Sequence, residues 1–301
     1  MIRWHSILAG LALAVTTGLA VHVVLWPALQ TAPASTKWGP VVPAPPSTED
    51  PQPTPPASNV DERQRQQKEA ALTAALQRYD ESTHVDLALT VVDRNTGRVF
   101  SYNGERRFET ASIVKVDLLA TLLLQAQRSR RSLTPAEKSL ATAMIEYSDN
   151  AAATTLWNQT GGIARGADVF GLTATAPGAG GRWGGATTTA EDQARLITAL
   201  ASPNGPIRDS RYLFGLMRNV ADAQAWGISA TAEPGEIVAL KNGWMPRSSD
   251  DGRWTVNSMG RITDSDTDVT IVVLSRGHAS LRAGVDLVEE AARTARVHLG
   301  W

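Results

Sequence analysis

The arrangement of apolar and polar residues changes several times along the chain, and each change predicts an element of secondary structure. Some segments repeat apolar residues at helical spacing, whereas others alternate or stay apolar between two turn signals. Helices are predicted at residues 61–81, 112–128, 134–147, 150–160, 163–170, 189–201, 210–223 and 280–298. Strands are predicted at residues 85–93, 98–102, 236–241, 253–262 and 268–275.

The order of these elements predicts the fold class. A helix and two strands come first, three strands and a helix come last, and a helical stretch lies between them. This order predicts an α/β fold of the α+β kind. One antiparallel sheet is built from both ends of the chain, with flanking helices and an inserted all-helical subdomain. A site at the junction would use side chains from both parts.

The first 26 residues have the composition of a targeting or membrane segment. Residues 7–26 are an almost unbroken apolar run of about the length that crosses a bilayer, and Arg3 precedes it. Two interpretations stay open for residues 1–26: a signal peptide cleaved near Ala32-Pro33-Ala34, or a signal-anchor transmembrane helix. Because the positive charge lies before the run, both predict an extracytoplasmic protein, either secreted or held at the membrane.

A proline-rich stretch separates this leader from the rest of the chain. Residues 27–59 are rich in proline, alanine, serine and threonine, which favours an extended spacer over a packed core. A tail with no spacing role is the alternative interpretation. One globular domain is predicted from residue 60 to residue 301.

The amino-acid composition excludes several classes of function. The formal charge of −1 gives no electrostatic reason to expect nucleic acid as a partner. The absence of cysteine excludes disulfides, thiolate zinc sites, a cysteine nucleophile and a lipid-modified amino terminus. The five histidines show no metal-ligand spacing, so we expect neither a metal nor another cofactor.

The candidate chemistry centres on Ser112 and Lys115. A serine and a lysine three positions apart lie on the same face of a helix, and the apolar run that follows, including Leu118 and Leu119, predicts a buried helix. Burial lowers the pKa of a lysine, so Lys115 could take the proton of Ser112 and make it a nucleophile. The pattern S-x-x-K alone is common enough to arise by chance.

Two further short motifs follow in the chain. Ser148-Asp149-Asn150 lies between two predicted helices, and Lys241-Asn242-Gly243 closes a predicted strand. Each is weak by itself, because Ser101-Tyr102-Asn103 also matches S-x-N and Lys37-Trp38-Gly39 also matches K-x-G. The signal becomes strong only when all three motifs occur in order on a helix, an interhelical loop and a strand.

With S-x-x-K, S-D-N and K-x-G in this order, residues 60–301 resemble the class A β-lactamase-like serine hydrolases. The resemblance implies that Ser112 attacks the carbonyl of a β-lactam or a peptide amide and becomes acylated. It also implies that Lys115 acts as the base or orients the serine, and that Ser148 passes a proton to the leaving nitrogen.

The same resemblance implies which residues bind substrate. Asn150 would hold the catalytic lysine and the substrate amide, and Lys241 would attract a substrate carboxylate. Gly243 has no side chain and would let substrate backbone lie along the strand edge. The backbone N–H groups of Ser112 and Trp244 would form the oxyanion hole.

Two departures from the family pattern change the expectation. Asn242 stands where the family usually has a hydroxyl residue, and its amide can still donate a hydrogen bond to a substrate carboxylate. The loop at residues 173–188 has no carboxylate, whereas class A enzymes carry there the glutamate that activates water. The single acidic residue between residues 151 and 190, Asp168, is predicted on a solvated helix face. A positioned base contributes about 10²–10⁴-fold, so we expect slow hydrolysis of the acyl-enzyme.

Three functions stay open from the sequence. The first is an extracytoplasmic serine acyl-enzyme that acts on β-lactams or on D-Ala-D-Ala-like peptides, as an atypical β-lactamase or as a D,D-peptidase-like enzyme. The second is a non-catalytic module that binds peptidoglycan in the same cleft. The third is a membrane-tethered structural protein whose motifs are relics. Arg253 is expected as an exposed strand arginine, with pairing to a substrate carboxylate as its alternative role.

Overall fold

The computed structural model describes residues 57–83 and 85–301, which belong to one compact unit. The predicted leader, residues 1–26, lies outside the described residues, as does most of the predicted linker. The first helix begins at Ala57, within the last residues assigned to that linker. Within 57–83 and 85–301, no helix is both long enough and apolar enough to span a membrane.

Regular elements follow one another closely through the described residues, and most coincide with the predicted ones. The helices are α1 (Ala57–Thr83), α2 (Val114–Arg128), α3 (Pro135–Glu146), α4 (Asn150–Thr160), α5 (Ala164–Phe170), α6 (Ala190–Ala201), α7 (Arg211–Arg218) and α8 (Leu281–Leu299). The strands are β1 (Asp86–Asp93), β2 (Arg98–Tyr102), β3 (Phe108–Glu109), β4 (Thr187–Thr188), β5 (Ile237–Pro246), β6 (Trp254–Thr263) and β7 (Asp268–His278).

Five strands form one antiparallel sheet in the spatial order β2-β1-β7-β6-β5. β1 pairs with β7 in a register that places Asp86 opposite Arg276, so the two ends of the described chain meet within the sheet. β5 stands at the edge and pairs with β6, with Lys241 opposite Met259. The predicted antiparallel sheet, built from both ends with a helical insertion, is confirmed.

Apolar side chains of the sheet alternate between two cores. On β7, Val272 and Leu274 pack with the inserted helices, whereas Ile271 and Val273 pack with α1 and α8. This period of two is typical of a strand that is buried on both faces. Within the first core, α2 is buried on nearly all sides, which fixes the helix that begins directly after the turn at Ser112.

Two elements near the site differ from their predicted bounds. Ser112 lies in a 3-10 turn, Ala111–Ile113, that leads into α2, rather than in the α-helix itself. β5 continues beyond the predicted end at Lys241 as far as Pro246, because its pairing with β6 runs through Gly243. The third motif is therefore inside an edge strand and not at its end.

Two differences elsewhere have local causes. α7 ends at Arg218 instead of residue 223, because Ala221 is extended (φ −55°, ψ 145°) and a separate 3-10 turn, Asp222–Gln224, follows. β3 and β4 were not predicted. They are too short for a pattern, and they form a ribbon in which Phe108 pairs with Thr188.

Candidate active site

Ser112 lies at a sharp change of chain direction between β3 and α2. Ala111, directly before it, has a φ of +46°, in the left-handed region that is unfavourable for a residue other than glycine. Ser112 itself is half-buried, whereas Thr110 and Ile113 are fully buried. The turn is thus held by buried neighbours while the serine stays partly accessible.

An amide on the sheet fixes the main chain of this turn. Asn257 on β6 is fully buried, and its Nδ2 donates to the carbonyl oxygens of Glu109 at 2.8 Å and Thr110 at 3.1 Å. Its Oδ1 accepts a hydrogen bond from the N–H of Ser275 on β7 at 3.1 Å. One side chain therefore links two central strands to the residues that precede Ser112.

Gly243 lets the edge strand approach the same turn. A Cβ added to Gly243 would lie 2.7 Å from the nitrogen of Ser112 and 2.7 Å from the oxygen of Thr110. Both obstacles are main-chain atoms, so a side chain has no room here. The approach brings the N–H of Ser112 next to the strand that carries Trp244, which is the arrangement that the predicted oxyanion hole needs.

The S-D-N motif forms the loop between α3 and α4. Ser148 has a φ of +57°, and Asn150 is the first residue of α4. Asp149 caps that helix, because its Oδ1 accepts a hydrogen bond from the N–H of Ala152 at 2.6 Å. The cap fixes the loop, and the loop presents Ser148 and Asn150 to Lys115.

Lys115 is fully buried in the first turn of α2 and binds this loop. Its Nζ lies 2.6 Å from Ser148 O, 3.1 Å from Ser148 Oγ and 2.8 Å from Asn150 Oδ1. Burial lowers the pKa of Lys115 to about 8, against an opposing effect of the Asp149 carboxylate. In the part of the chain that the structure describes, the Ser112 hydroxyl makes no hydrogen bond, so Lys115 is anchored to the loop and not to the serine.

Lys241 approaches the Ser148 hydroxyl from the sheet. Its Nζ lies 3.0 Å from Ser148 Oγ, 3.2 Å from Gln224 Oε1 and 3.1 Å from Asn242 O. Burial and, to a smaller extent, the charge of Lys115 lower the pKa of Lys241 to about 7. Ser148 Oγ therefore bridges two buried amines, one from the helical insertion and one from the sheet, as the order of the elements predicted.

Asn242 points away from these amines. It is fully buried, and its Nδ2 donates to the main-chain oxygens of Gln224 at 2.8 Å and Trp226 at 3.0 Å. Successive side chains of a strand point to opposite faces, which separates Asn242 from Lys241. Both amide hydrogens hold the segment before β5, and the contact with substrate stays a prediction.

The loop between α5 and β4 covers Lys115 with an aromatic ring. The ring centroid of Trp183 lies 5.1 Å from Lys115 Nζ, and Trp183 Nε1 donates to Thr154 Oγ1 on α4 at 3.1 Å. Asp168 is exposed on α5, as predicted. The loop therefore places an indole beside Lys115 and brings no carboxylate there.

Two further predicted residues lie at the periphery. Trp244 is half-buried and packs edge-on against Trp226, with the ring centroids 5.7 Å apart. Arg253 is exposed directly before β6, and its guanidinium donates to the carbonyl oxygen of Gly277 at 2.8 Å. That bond ties Arg253 to the neighbouring strand, in line with the expectation of an exposed arginine.

A sequence model of the beta-lactamase enzyme family matches residues 69–138 and 135–299, a span that contains all three motifs. The chain belongs to the beta-lactamase enzyme family. The predicted resemblance to class A β-lactamase-like serine hydrolases is confirmed by this match and by the fold.

Curated relatives of this beta-lactamase family member are known in mycobacteria. The chain is similar to the proposed lipoprotein LppW of Mycobacterium tuberculosis and of Mycobacterium bovis. The identity is 29% over 170 residues, which are 53% of this chain and 54% of the relative. The chain thus spans about half the length of the curated relatives it matches.

Solved structures of beta-lactamases share the fold. A beta-lactamase of Xanthomonas campestris has a TM-score of 0.66 at 17% identity, covering 77% of this chain and 99% of that chain. A beta-lactamase of Burkholderia phymatum has a TM-score of 0.64 at 19% identity, with coverages of 77% and 99%. A variant of the last common ancestor of Gram-negative class A beta-lactamases has a TM-score of 0.63 at 21% identity, with coverages of 75% and 97%. These likenesses show the class A fold.

Three residues of this beta-lactamase family site escaped the sequence analysis: Trp183, Gln224 and Asn257. No short motif marks them, since tertiary packing brings each to the site from a different element. A usable signal existed for Asn257, because an asparagine inside an apolar strand has to find buried hydrogen-bond partners. Gln224 and Trp183 lie in short 3-10 turns, where the sequence pattern gives no direction for a side chain.

Proposed function

We propose that this protein is an extracytoplasmic serine acyl-enzyme that reacts through Ser112 with β-lactams or with D-Ala-D-Ala-like peptide amides, and that releases the acyl group slowly. One observation carries the proposal. The Ser148 hydroxyl lies 3.1 Å from Lys115 Nζ and 3.0 Å from Lys241 Nζ. A hydroxyl between two buried amines can pass protons in both directions. A module that only binds needs no such relay, because it forms no nucleophile.

Acylation begins when the Ser112 hydroxyl loses its proton. Burial lowers the pKa of Lys115 to about 8, so a fraction of this amine is neutral near neutral pH and can accept that proton. For this step Lys115 exchanges one hydrogen bond to the S-D-N loop for one to Ser112. Ser112 Oγ then bonds to the carbonyl carbon, and the negative charge on the carbonyl oxygen faces the N–H groups of Ser112 and Trp244.

The amide bond breaks when its nitrogen receives a proton. Ser148 donates its hydroxyl proton to that nitrogen and regains one from the adjacent lysine amines. A β-lactam nitrogen stays attached through the opened ring, whereas a peptide amine leaves. Lys241, in its protonated form, attracts the carboxylate that both substrates carry after the scissile amide. The exposed amide of Asn150, held by Lys115 through Oδ1, is placed to bind the carbonyl of the acyl part.

An extracytoplasmic location is part of the proposal. It is supported by the apolar run at residues 7–26 and by the similarity to LppW, which is named as a proposed lipoprotein. This chain has no cysteine, so a lipid on an amino-terminal cysteine cannot hold it. The leader itself, as signal peptide or membrane anchor, is the segment we expect to deliver it.

The test is intact-mass spectrometry of the full chain after incubation with a penicillin. The wild type is expected to gain the whole mass of the penicillin, because ring opening loses no atoms, and to keep it for a long time. Ser112→Ala should gain nothing. Ser132→Ala, at an exposed serine before α3, is the matched control and should behave like the wild type.

Three other outcomes change the conclusion. No adduct at high penicillin concentration overturns the proposal for β-lactams. Release of D-alanine from a D-Ala-D-Ala-terminated peptide, lost in Ser112→Ala, assigns the D,D-peptidase-like activity. Unchanged binding of peptidoglycan by Ser112→Ala, together with no adduct on the wild type, supports a non-catalytic module.

A further inference from the structure

The contact between Trp183 and Lys115 is a cation–π contact without a hydrogen bond. All three hydrogens of the Lys115 ammonium have oxygen acceptors in the S-D-N loop, so the indole ring, 5.1 Å from Nζ, covers the amine without bonding to it. A ring face attracts a cation but cannot hold a water molecule in place as a hydrogen-bonding group does. Trp183 thus shields one side of the amine.

The polar atom of the indole is already used. Trp183 Nε1 donates to Thr154 Oγ1, and that hydroxyl donates to Asn150 O at 2.9 Å. The ring is therefore attached to the helix that begins with the S-D-N motif. No side-chain donor of Trp183 remains to orient a water molecule near Lys115.

The loop that carries Trp183 is fixed at several points. Trp157 Nε1 on α4 donates to Gly181 O at 2.9 Å, and Thr110 N donates to Ala186 O at 2.9 Å. The latter bond joins the end of the loop to the residues just before Ser112. A Cβ added to Gly178 would lie 2.5 Å from the carbonyl carbon of Gly185, so two glycines close the neck of the loop.

We propose that Trp183 is a positioning residue that keeps water away from Lys115 and from the ester on Ser112, and thereby prolongs the life of the acyl-enzyme. The inference rests on the proposed acylation of Ser112 and adds the residue that controls the second half of the reaction.

The step that Trp183 slows is hydrolysis of the ester. A water oxygen bonds to the acyl carbon, one water proton passes to Lys115 and on to Ser112 Oγ, and the C–O bond to Ser112 breaks. The products are the free acid and the original serine. Lys115 is the amine nearest to the S-D-N loop that can accept this proton, and Trp183 covers it.

The experiment compares the wild-type full chain with Trp183→Ala, Trp183→Phe and Arg182→Ala. Each is acylated with a penicillin, and the loss of the adduct is followed by intact mass. Trp183→Ala is expected to lose the adduct at least about tenfold faster than the wild type. This increase is smaller than the rate factor of about 10²–10⁴ that a fully positioned general base contributes. Trp183→Phe keeps the ring and should keep the lifetime. Arg182→Ala, at the exposed neighbour, is the matched control.

A second readout does not depend on acylation. Reductive methylation, mapped by mass spectrometry, reports how accessible each lysine amine is, and the exposed Lys138 serves as internal reference. Trp183→Ala should speed the methylation of Lys115 relative to Lys138, whereas Trp183→Phe should not.

The outcomes separate this inference from the proposed function. Equal adduct lifetimes in the wild type and Trp183→Ala overturn it, as does equal methylation of Lys115. If the wild type forms no adduct, the proposed function fails. Methylation then still decides whether Trp183 shields the amine.

Discussion

The side-chain amide of Asn257 donates a hydrogen bond to the carbonyl oxygen of Thr110 at 3.1 Å and so joins the centre of the sheet to the turn that carries Ser112. The same amide also satisfies Glu109 O and the N–H of Ser275. The position of Ser112 therefore depends on a residue of β6 that is distant from it in the sequence.

Replacement of Asn257 by alanine should reduce both stability and acylation. Each buried group left unpaired costs about 1–3 kcal/mol, so urea unfolding should show a clear loss of free energy of unfolding. The turn also loses its fixed position, and the rate of acylation by a penicillin should fall. The control is Thr255→Val on the same strand, because the buried Thr255 Oγ1 has no partner in the described residues. Wild-type acylation by Asn257→Ala would contradict the positioning role.

Gly243→Ala should abolish most acylation. The added Cβ would meet the nitrogen of Ser112 and the oxygen of Thr110 at 2.7 Å, and neither main-chain atom can move aside without displacing the turn. Gly215→Ala on α7 is the matched control, since a Cβ there meets no atom within 4 Å. That control should gain up to about 1 kcal/mol, as alanine favours the helix. Similar adduct formation by both variants would refute the close approach.

The limiting rate of acylation at saturating penicillin should rise with pH. Burial lowers the pKa of Lys115 to about 8, and only the neutral amine accepts the Ser112 proton, so the rate climbs through about pH 8 and then levels. Penicillin binding should weaken over a lower range, because the pKa of Lys241 is about 7 and the protonated form attracts the carboxylate. Stopped-flow measurement at several penicillin concentrations separates the two. A limiting rate that does not change with pH would exclude Lys115 as the base.

Asp117→Asn should stabilise the protein above neutral pH. Asp117 is buried on α2, its Oδ1 accepts from Gln193 Nε2 at 3.1 Å, and burial raises its pKa to about 7. The folded state therefore holds a proton that the unfolded state releases at lower pH, and stability is lost as pH rises through about 7. The asparagine variant carries no such loss, so its advantage in free energy of unfolding should grow as pH rises from 3.8 to about 7 and stay constant above that range. Asp168→Asn, at an exposed position of α5, should show none.

His278 should make the protein less stable in mild acid. Burial lowers the pKa of His278 to about 4, well under its usual 6.5. Between these values the unfolded state binds a proton that the folded state does not, so stability falls as pH drops from about 6.5 towards about 4. His278→Asn has no titrating group, and the difference between the two unfolding curves should change over that range. A constant difference would contradict the shift.

The spacing of apolar residues was sufficient to predict the sheet and its helical insertion. Where a large core buries the apolar residues, their spacing and the length of each segment distinguish strands from helices. The order of motifs was sufficient for the resemblance to the family. Neither could orient side chains. The amide of Asn242 donates to Gln224 O and Trp226 O, two partners that no sequence pattern indicated. In the sequence, nothing distinguishes Trp183 from the other residues of its glycine-rich loop. Tertiary packing places its ring over Lys115.

The pairing of β1 with β7 also sets the order of events during synthesis and folding. Asp86 can meet Arg276 only after nearly all of the described chain has been made, and contacts so distant in sequence form slowly. Lys241 and Asn257 lie on strands that join the sheet through β7. The turn at Ser112 therefore gains the support of Asn257 late in synthesis. A partly synthesised chain lacks both this support and the close approach of Gly243 to the turn.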